Sequence, residues 1–284
     1  MFSLACKHTK NLSTPTIYIP IKNVHLKSNF FNMKNYLQEL NSQQQKAVQH
    51  IDGPLIVIAG AGSGKTRVIT CRIANMLNSK INAFNILALT FTNKAAKEMR
   101  SRIDQITQPY KSASLWMGTF HSMFAKILRI ESHKFNYPAN FTIYDTEDSK
   151  SLVKSIIKEL ELDKEIYKPN FIRNRISSLK NHFIKSNDYN QRPELTQNDK
   201  IAKRDEFGRI YQIYEKRCQK SSALDFDDLL LKTYELFEEN PDILLKYQEK
   251  FKYILIDEYQ DTNFVQYLII KKLAALYENI CVVG

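Results

Sequence analysis

Residues that could hold a phosphate stand together near position 60. The apolar segment Leu55 to Ala59 runs directly into three glycines, an alanine, a serine, a lysine and a threonine, in the order Gly60-Ala61-Gly62-Ser63-Gly64-Lys65-Thr66. Glycines let the backbone wrap closely around a phosphate with its N–H groups pointing inward. The following segment, Arg67 to Leu77, is compatible with a helix, whose N-terminus favours an anion. We therefore predict a strand, a phosphate-binding loop and a helix.

The side chains of this loop suggest a nucleoside triphosphate as the ligand. Lys65 would reach the β- and γ-phosphates, and the hydroxyl of Thr66 would bind Mg²⁺. Ala59 stands where the common pattern has glycine, so a glycine turn with a chance lysine is the alternative. The strand and helix on either side favour the phosphate loop.

Two adjacent carboxylates end a second apolar strand. The segment Tyr253 to Ile256 leads into Asp257 and Glu258, with Gln260 two residues further on. Asp257 would hold Mg²⁺ from the side opposite Thr66, while Glu258 would orient and partly deprotonate the water that attacks the γ-phosphate. Gln260 would sense that phosphate or its water. A solvated acidic turn is the alternative, and the phosphate loop upstream makes it the weaker one.

Short apolar runs alternate with amphipathic helices from Leu40 onward, which predicts an α/β fold with a parallel sheet covered by helices on both faces. The predicted strands are Leu55 to Ala59, Ile86 to Phe91, Leu115 to Gly118, Tyr253 to Asp257 and Ile280 to Val283. Between Ser122 and about Ser221 the strand pattern nearly vanishes. The predicted helices here are Ser149 to Leu160, Phe171 to Phe183 and Ile210 to Cys218. We interpret this stretch as a mostly helical inserted subdomain.

These patterns divide the chain into four parts. Residues 1–35 are predicted to be a poorly ordered leader, 36–121 and 222–284 two parts of one α/β domain, and 122–221 the insertion. Within the insertion, the polar stretch Asn187 to Asp205 with Pro193 is predicted to be an exposed loop. A helix capped by Asp225 is expected to return the chain to the main domain.

The charge and residue composition limit the classes of partner that the chain can have. The chain has 284 residues and a formal charge of +11, which favours nucleic acid or an acidic membrane surface as a partner. Its apolar runs are far shorter than the roughly 18 residues of a membrane-spanning helix. The four cysteines lie far apart, which argues against a zinc site or a disulfide framework and fits a reducing cytoplasm.

Together, five segments resemble the UvrD/Rep-like DNA helicases of superfamily 1. They are the loop from Gly60 to Arg67, the acidic segment from Asp257 to Thr262, and three further stretches: Leu40 to Val48, Leu89 to Met99 and Gly118 to Ser122. The resemblance covers about residues 36–284 and implies a P-loop NTPase fold of the RecA-like type. It places Gln44 against the adenine base and Arg67 among the nucleotide-binding residues, and this family tolerates alanine at the Ala59 position.

In this family, the segments that resemble Leu89 to Met99 and Gly118 to Ser122 contact single-stranded DNA, so the resemblance implies the same contacts here. The residues concerned are Phe91, Thr92 and Asn93 in the first, and Thr119, Phe120 and His121 in the second. An exposed phenylalanine ring could stack on a base, and the polar side chains could bond phosphates. From the residue types alone, both phenylalanines are more typical of a core. The family resemblance favours the stacking role.

The resemblance thus implies that the chain is the N-terminal, ATP-binding segment of an ATP-dependent DNA helicase that moves 3′ to 5′. The implied cofactors are ATP and Mg²⁺. DNA repair is one of the cellular roles that the resemblance suggests. Because the later helicase motifs would lie beyond Gly284, the chain alone is expected to bind ATP, to hydrolyse it very slowly and to unwind nothing. A separately encoded C-terminal helicase half is a candidate partner. The alternatives are a non-catalytic nucleotide- or DNA-binding remnant of a split gene, and an unrelated small-molecule kinase.

Overall fold

The structure is a computed structural model that describes residues 36–60, 62–135 and 137–284. The predicted leader and Ala61 therefore lie outside the described residues. Contacts divide the chain into two compact units. The first unit contains the described residues up to Thr119 together with 248–261 and 274–284, and the second contains 120–247 and 262–273.

The described residues form seven strands. In chain order they are β1 (Leu55–Val57), β2 (Ile86–Thr90), β3 (Trp116–Thr119), β4 (Thr142–Tyr144), β5 (Ala223–Asp225), β6 (Tyr253–Ile256) and β7 (Ile280–Val283). The α-helices of the first unit are α1 (Ser42–Gln49), α2 (Lys65–Asn78), α3 (Asn93–Ile106) and α4 (Pro109–Ser112). Those that follow are α5 (Phe120–Ile130), α6 (Thr146–Glu159), α7 (Pro169–Lys180), α8 (Ser186–Asn190), α9 (Pro193–Ile201), α10 (Phe207–Lys220), α11 (Phe226–Glu239), α12 (Pro241–Lys250) and α13 (Phe264–Ala274).

The first unit is built on a parallel sheet with the strand order β1-β7-β6-β2-β3. All five residues of β2 are buried, as expected for a central parallel strand covered on both faces. The predicted α/β class and its five strands are confirmed, although several strands are a residue or two shorter than predicted. Helices α1, α2 and α3 supply a large apolar core with residues such as Val68, Ile73, Met99 and Ile103.

The second unit is mostly helical, with a separate core. Aromatic and branched residues from several helices form it, among them Ile157, Ile176, Phe207, Tyr211 and Tyr214. The predicted helices 149–160, 171–183 and 210–218 correspond to α6, α7 and α10 with bounds shifted by a few residues. Among the described residues, none of the helices is both long and apolar enough to cross a lipid bilayer.

Two features of the second unit correct the sequence interpretation. The stretch 187–205 is not a loop, because it contains part of α8 and all of α9. Pro193 occupies the first turn of α9, where its missing N–H costs nothing. The buried carboxylate of Asp199 accepts hydrogen bonds from Tyr189 Oη at 2.9 Å and Arg175 at 3.2 Å, so this polar sequence is anchored.

The second correction concerns strands. The short strand β4 pairs in parallel with β5, with Ile143 opposite Leu224, in a stretch for which we predicted almost none. Asp225 caps α11 as predicted. However, the second unit continues to Tyr247, so α11 lies within it rather than in the first unit. The predicted domain boundaries stay predictions.

Candidate functional site

The loop between β1 and α2 is shaped by glycines in the left-handed region. Gly62 has a φ of 75° and Gly64 a φ of 93°, conformations that side chains with a Cβ rarely adopt. The buried Ser63 closes the turn, because its N–H and its hydroxyl both donate to the Gly60 carbonyl, at 3.2 and 2.6 Å. The loop is therefore held from within by its own backbone.

The loop delivers the chain into the N-terminus of α2. Gly64 is the N-cap and has no side chain with which to cap the first turn, and that turn contains no acidic residue. The first N–H groups of a helix lack intrahelical partners and carry the positive end of its dipole. Lys65, the first residue of α2, adds a full positive charge. The arrangement suits an anion with several oxygens.

Asp257 lies next to this loop on a neighbouring part of the sheet. It follows β6, donates its N–H to the Leu89 carbonyl at 3.0 Å and is only 3% exposed. The hydroxyl of Thr66 donates to Asp257 Oδ2 at 3.3 Å. Burial, and secondarily the charge of Glu258, raise the pKa of the Asp257 carboxyl. A buried carboxylate with a raised pKa gains from a nearby cation.

These two oxygen ligands fit a magnesium ion. Mg²⁺ usually takes only one or two protein oxygens and completes its shell with phosphate oxygens and water. Across the described part of the chain, no group of three or more His, Cys, Asp or Glu side chains could hold a metal by itself. The pair Thr66 and Asp257 therefore suits a cation that arrives with a polyphosphate, and does not suit an ion held by protein alone.

Glu258 occupies the space in front of Lys65. Its Oε2 lies 3.7 Å from Lys65 Nζ and accepts a hydrogen bond of 2.5 Å from Gln260 Nε2. The residue has a φ of 52°, the left-handed region, which is a strained conformation for a glutamate. Its side chain is 41% exposed, and that of Lys65 is 17% exposed. The lysine thus pairs with a carboxylate that solvent can reach.

Gln44 is fastened to the loop from the other side. Its Nε2 donates to the Ser63 carbonyl at 3.2 Å, and its Oε1 accepts the Asn41 N–H at 3.0 Å. A Cβ added to Gly64 would lie 3.1 Å from the same amide nitrogen, so the two residues are tightly packed. Because an amide has two N–H donors and two acceptor lone pairs, this side chain can contact a base while it keeps its bond to the loop.

Two other predicted nucleotide residues have structural partners. Ala59 is buried and donates its N–H to the Gly284 carbonyl at 3.0 Å, which extends the pairing of β1 with β7. Arg67 forms an ion pair with Glu39 at 2.6 Å. Gln260 lies at the same end of the sheet, because a Cβ at Gly284 would be 2.9 Å from Gln260 Oε1.

The first predicted DNA segment follows β2. Phe91 is half-buried, while Thr92 and Asn93 are exposed. Thr92 caps α3, because its hydroxyl accepts the Ala95 N–H at 3.1 Å. The oxygen of this hydroxyl therefore has a structural role as an acceptor. Its O–H can still donate to a phosphate.

The second predicted DNA segment joins β3 to α5. Thr119 and Phe120 are buried, at 8% and 1% exposure, and the Phe120 ring packs edge-on against Phe124 with centroids 6.0 Å apart. The His121 ring lies 5.4 Å from that of Phe226. Burial lowers the pKa of His121, and the charge of Asp227 opposes that effect. Stacking by Phe120 on a base would require its ring to be uncovered.

A parallel sheet with a glycine loop and an acidic pair at the ends of its strands defines a nucleotide-binding domain of the phosphate-loop class. Residues 40–284 match the family described as the UvrD/REP helicase N-terminal domain, and the chain belongs to that family.

The chain is also similar to longer curated proteins. The chain is 42% identical over 253 residues to an "ATP-dependent DNA helicase PcrA" of Staphylococcus epidermidis. It is also 42% identical over 253 residues to a protein of that name from Staphylococcus aureus. In each case the match covers 89% of this chain and 34% of the relative, so the chain spans about a third of the relatives' length.

Several functionally relevant contacts were not predicted from the sequence. They are the bond from Gln44 to the loop, the pairing of Lys65 with Glu258, and a buried charge cluster around Lys180 in the second unit. The only available signal for the cluster was the run of three aspartates at the start of α11, at positions 225, 227 and 228. Nothing in the sequence indicated which lysine would pair with them.

Proposed function

We propose that this chain is the nucleotide-binding N-terminal segment of an ATP-dependent DNA helicase or translocase, that it binds ATP with Mg²⁺ and single-stranded DNA, and that the motor moves 3′ to 5′. The observation that carries the proposal is the contact between Thr66 and Asp257 beside the glycine loop. The direction of movement rests on the family resemblance.

In this proposal the triphosphate occupies the loop. The backbone N–H groups of Gly62 to Lys65 and the first turn of α2 bind its oxygens, and Lys65 exchanges Glu258 for the β- and γ-phosphates. Thr66 and Asp257 hold the accompanying Mg²⁺, which supplies positive charge that offsets the negative charge of the triphosphate.

Glu258 acquires its second role when it leaves Lys65. It then accepts a hydrogen bond from the attacking water and takes a proton from it, as the water oxygen bonds to the γ-phosphorus, the bond from that phosphorus to the β–γ bridging oxygen breaks, and ADP leaves. Gln260, which already donates to Glu258 Oε2 at 2.5 Å, keeps the carboxylate oriented during this step. Gln44 lies against Ser63, so an adenine bound beside the loop would lie within reach of the same amide.

The DNA part of the proposal rests on charge and position. The chain has a formal charge of +11, which attracts a polyanion. Phe91 is half-buried after β2, with the exposed Thr92 and Asn93 next to it, so a base could stack while polar groups bond phosphates. Thr119, Phe120 and His121 would complete this contact after a rearrangement that uncovers the Phe120 ring.

Nucleotide titration with and without Mg²⁺ tests the proposal. A fluorescent ATP analogue should bind the wild-type chain more tightly when Mg²⁺ is present, and Asp257→Asn should remove that increment. Asp242→Asn, which changes an aspartate in the other unit with a 72% exposed side chain, is the matched control and should keep the increment. Equal Mg²⁺ dependence in Asp257→Asn and wild type would contradict the assignment.

A non-catalytic nucleotide- or DNA-binding role, the alternative from the sequence, shares binding with this proposal but not turnover. The relatives are about three times as long as the matched region, so their activity as whole proteins is not carried over directly. ATPase measured with and without single-stranded DNA, and with a separately made C-terminal part of a related helicase, separates the two roles. Turnover that Glu258→Gln abolishes supports the motor, and its absence in every mixture supports the binding role.

A further inference from the structure

The chain passes between the two compact units at four points, and side chains in the second unit connect the segments after two of them. The passages lie after Thr119, Tyr247, Asp261 and Leu273. His121 stands two residues after the first passage, and Asn263 two residues after the third. One of these segments carries a predicted DNA residue, and the other begins at Thr262, shortly after the acidic pair.

Asn263 is the first member of the connection. It caps α13 reciprocally with Gln266: its backbone N–H donates to Gln266 Oε1 at 3.0 Å, and its Oδ1 accepts the Gln266 N–H at 2.8 Å. Its amide Nδ2 donates to Asn181 Oδ1 at 2.9 Å. Because α13 and Asn181 hold this side chain on both sides, a movement of the segment after Asp261 would be transmitted to Asn181.

Asn181 passes the contact to α11. Its Nδ2 donates to the Ser177 carbonyl at 2.9 Å and to Asp227 Oδ1 at 2.8 Å, so its amide oxygen and nitrogen are both engaged. Asp227 lies in the first turn of α11, where burial and the charge of Asp225 raise its pKa. The hydrogen bonds from Ser177 and Asn181 favour its charged form and therefore oppose that rise.

The start of α11 is rigidly fixed on either side of Asp227. Lys180 Nζ lies 2.7 Å from both Asp225 Oδ2 and Asp228 Oδ1, and Tyr214 donates its hydroxyl to Asp225 Oδ2 at 2.7 Å. Asp225 also accepts the Asp228 N–H at 2.8 Å as the helix cap. The backbone at the start of α11 is thus held in place, and the Asp227 side chain is bound by Ser177 and Asn181.

The connection ends on the imidazole ring of His121. The ring of Phe226, the chain neighbour of Asp227, lies 5.4 Å from the His121 ring. Asp227 acts on His121 through its charge, which favours the protonated imidazole. A movement of the Asp227 carboxylate therefore changes the proton affinity of His121, which would touch a DNA phosphate.

We propose that Asn181 and Asp227 are positioning residues that connect the segment after the acidic pair to His121, so that nucleotide binding changes the affinity for single-stranded DNA. This inference rests on the proposed function, because it takes the nucleotide site and the DNA segment as assigned there. Couplings between two sites are commonly worth about fivefold or more in affinity. The path runs through hydrogen bonds from Asn263 to Asn181 and from Asn181 to Asp227, and reaches His121 through the charge of Asp227 and the ring of its chain neighbour Phe226.

A coupling experiment tests the proposal in the whole chain. The dissociation constant for a labelled oligonucleotide is measured by anisotropy with and without a non-hydrolysable ATP analogue plus Mg²⁺. The wild type should show a ratio of about fivefold or more. Asn181→Ala should bring the ratio close to one while leaving each ligand's separate affinity within about twofold. Asn174→Ala, which changes an exposed asparagine on α7, the helix that Asn181 caps at its C-terminus, should keep the wild-type ratio.

A second readout needs no ligand. The imidazole signal of His121 is titrated by NMR in wild type, Asp227→Asn and Asn174→Ala. Because the Asp227 charge raises the His121 pKa, Asp227→Asn should move the midpoint to lower pH, and Asn174→Ala should not. An unmoved midpoint in folded Asp227→Asn overturns the proposal.

The outcomes separate the two proposals. Failure of the wild type to bind nucleotide or DNA refutes the proposed function and this coupling with it. Binding of both ligands with a ratio of one in the wild type, or an unchanged ratio in Asn181→Ala, refutes the coupling alone.

Discussion

Two lysines, one in each unit, show how the same residue types serve different ends. Lys180 is 2% exposed and lies 2.7 Å from each of two aspartates, one of which also accepts a tyrosine hydroxyl. Lys65 is 17% exposed and lies 3.7 Å from a single, 41% exposed glutamate. The first lysine is enclosed by short bonds, whereas the second has one loose partner beside a helix N-terminus.

The two lysines differ in how easily a ligand could replace their carboxylate partners. Removing one partner from a buried ion pair leaves an uncompensated charge and costs about 3 to 5 kcal/mol. A solvent-exposed ion pair contributes only about 0 to 1 kcal/mol, so a ligand can displace it cheaply. The Lys180 cluster therefore cannot lose one partner without a large loss of stability, whereas the pair of Lys65 and Glu258 is suited to open for a phosphate.

The largest effect is expected from Lys180→Met. It leaves the carboxylates of Asp225 and Asp228 buried without a cation, and should lower the stability of the second unit by about 3 to 5 kcal/mol at neutral pH. Hydrogen exchange of the α7 and α11 amides reports that unit separately. Lys150→Met, on the neighbouring helix α6 with a surface partner at 3.3 Å, should cost less than about 1 kcal/mol. Similar losses in both variants would erase the contrast.

Lys65→Ala should have the opposite effects, with a large loss of nucleotide affinity and little loss of stability. Nucleotide affinity should fall by about 1.5 to 3 kcal/mol, or roughly 10- to 100-fold, because a charge-assisted hydrogen bond to phosphate is lost. Stability should change by less than about 1 kcal/mol. Fluorescent ATP titration gives the first quantity, and urea unfolding followed by Trp116, the single tryptophan, gives the second. Lys97→Ala, an exposed lysine on α3, should leave both unchanged.

Phe91→Ala extends the comparison to DNA. Loss of a stacking ring should weaken binding of single-stranded DNA by about 1 to 3 kcal/mol, and the remaining affinity should fall steeply with salt. Phe84→Ala removes a 48% exposed ring from the same unit and serves as the control in the anisotropy assay. If the two substitutions weaken binding equally, Phe91 is not a specific platform.

The smallest expected effect is a pH dependence of the Lys180 cluster. Burial, and then the charge of Asp225, raise the pKa of Asp228 to about 7. In the folded state Asp228 thus keeps a proton that it releases when the chain unfolds, so its stabilising contribution is lost as pH rises through about 7. Between pH 6 and 8 the loss should be roughly 1 kcal/mol. Asp228→Asn should remove this part of the slope in the hydrogen-exchange measurement, and an unchanged slope would refute the assignment.

The site around Lys65 could be predicted from the sequence and the cluster around Lys180 could not, for a physical reason. Lys65 lies in a contiguous loop whose glycines, lysine and threonine each have a local role, so seven residues define the chemistry. Lys180 pairs with Asp225, 45 residues away, and no local pattern encodes that pairing. The same holds for the three-residue strands β4 and β5, which are too short to show a periodicity.

The candidate DNA residues could be predicted from the sequence only in part. The residue types alone favoured a core position for both phenylalanines, and Phe120 is indeed buried, while Phe91 is half-buried. Their DNA contacts stay predictions, because stacking depends on which rings become accessible when a strand binds. The family itself was predicted from five ordered segments, and the match over residues 40–284 confirms it.

The most direct test of the account compares Glu258→Gln with Lys65→Ala in a titration with ATP and Mg²⁺. If Glu258 is a displaceable partner of Lys65, Glu258→Gln removes a competitor for the lysine. It should then bind nucleotide as tightly as wild type or up to about fivefold more tightly, in line with an exposed ion pair worth at most about 1 kcal/mol. Lys65→Ala should bind far more weakly. A loss of affinity in Glu258→Gln as large as that in Lys65→Ala would show that the glutamate belongs to the binding surface, and would contradict the exchange on which the proposed nucleotide site depends.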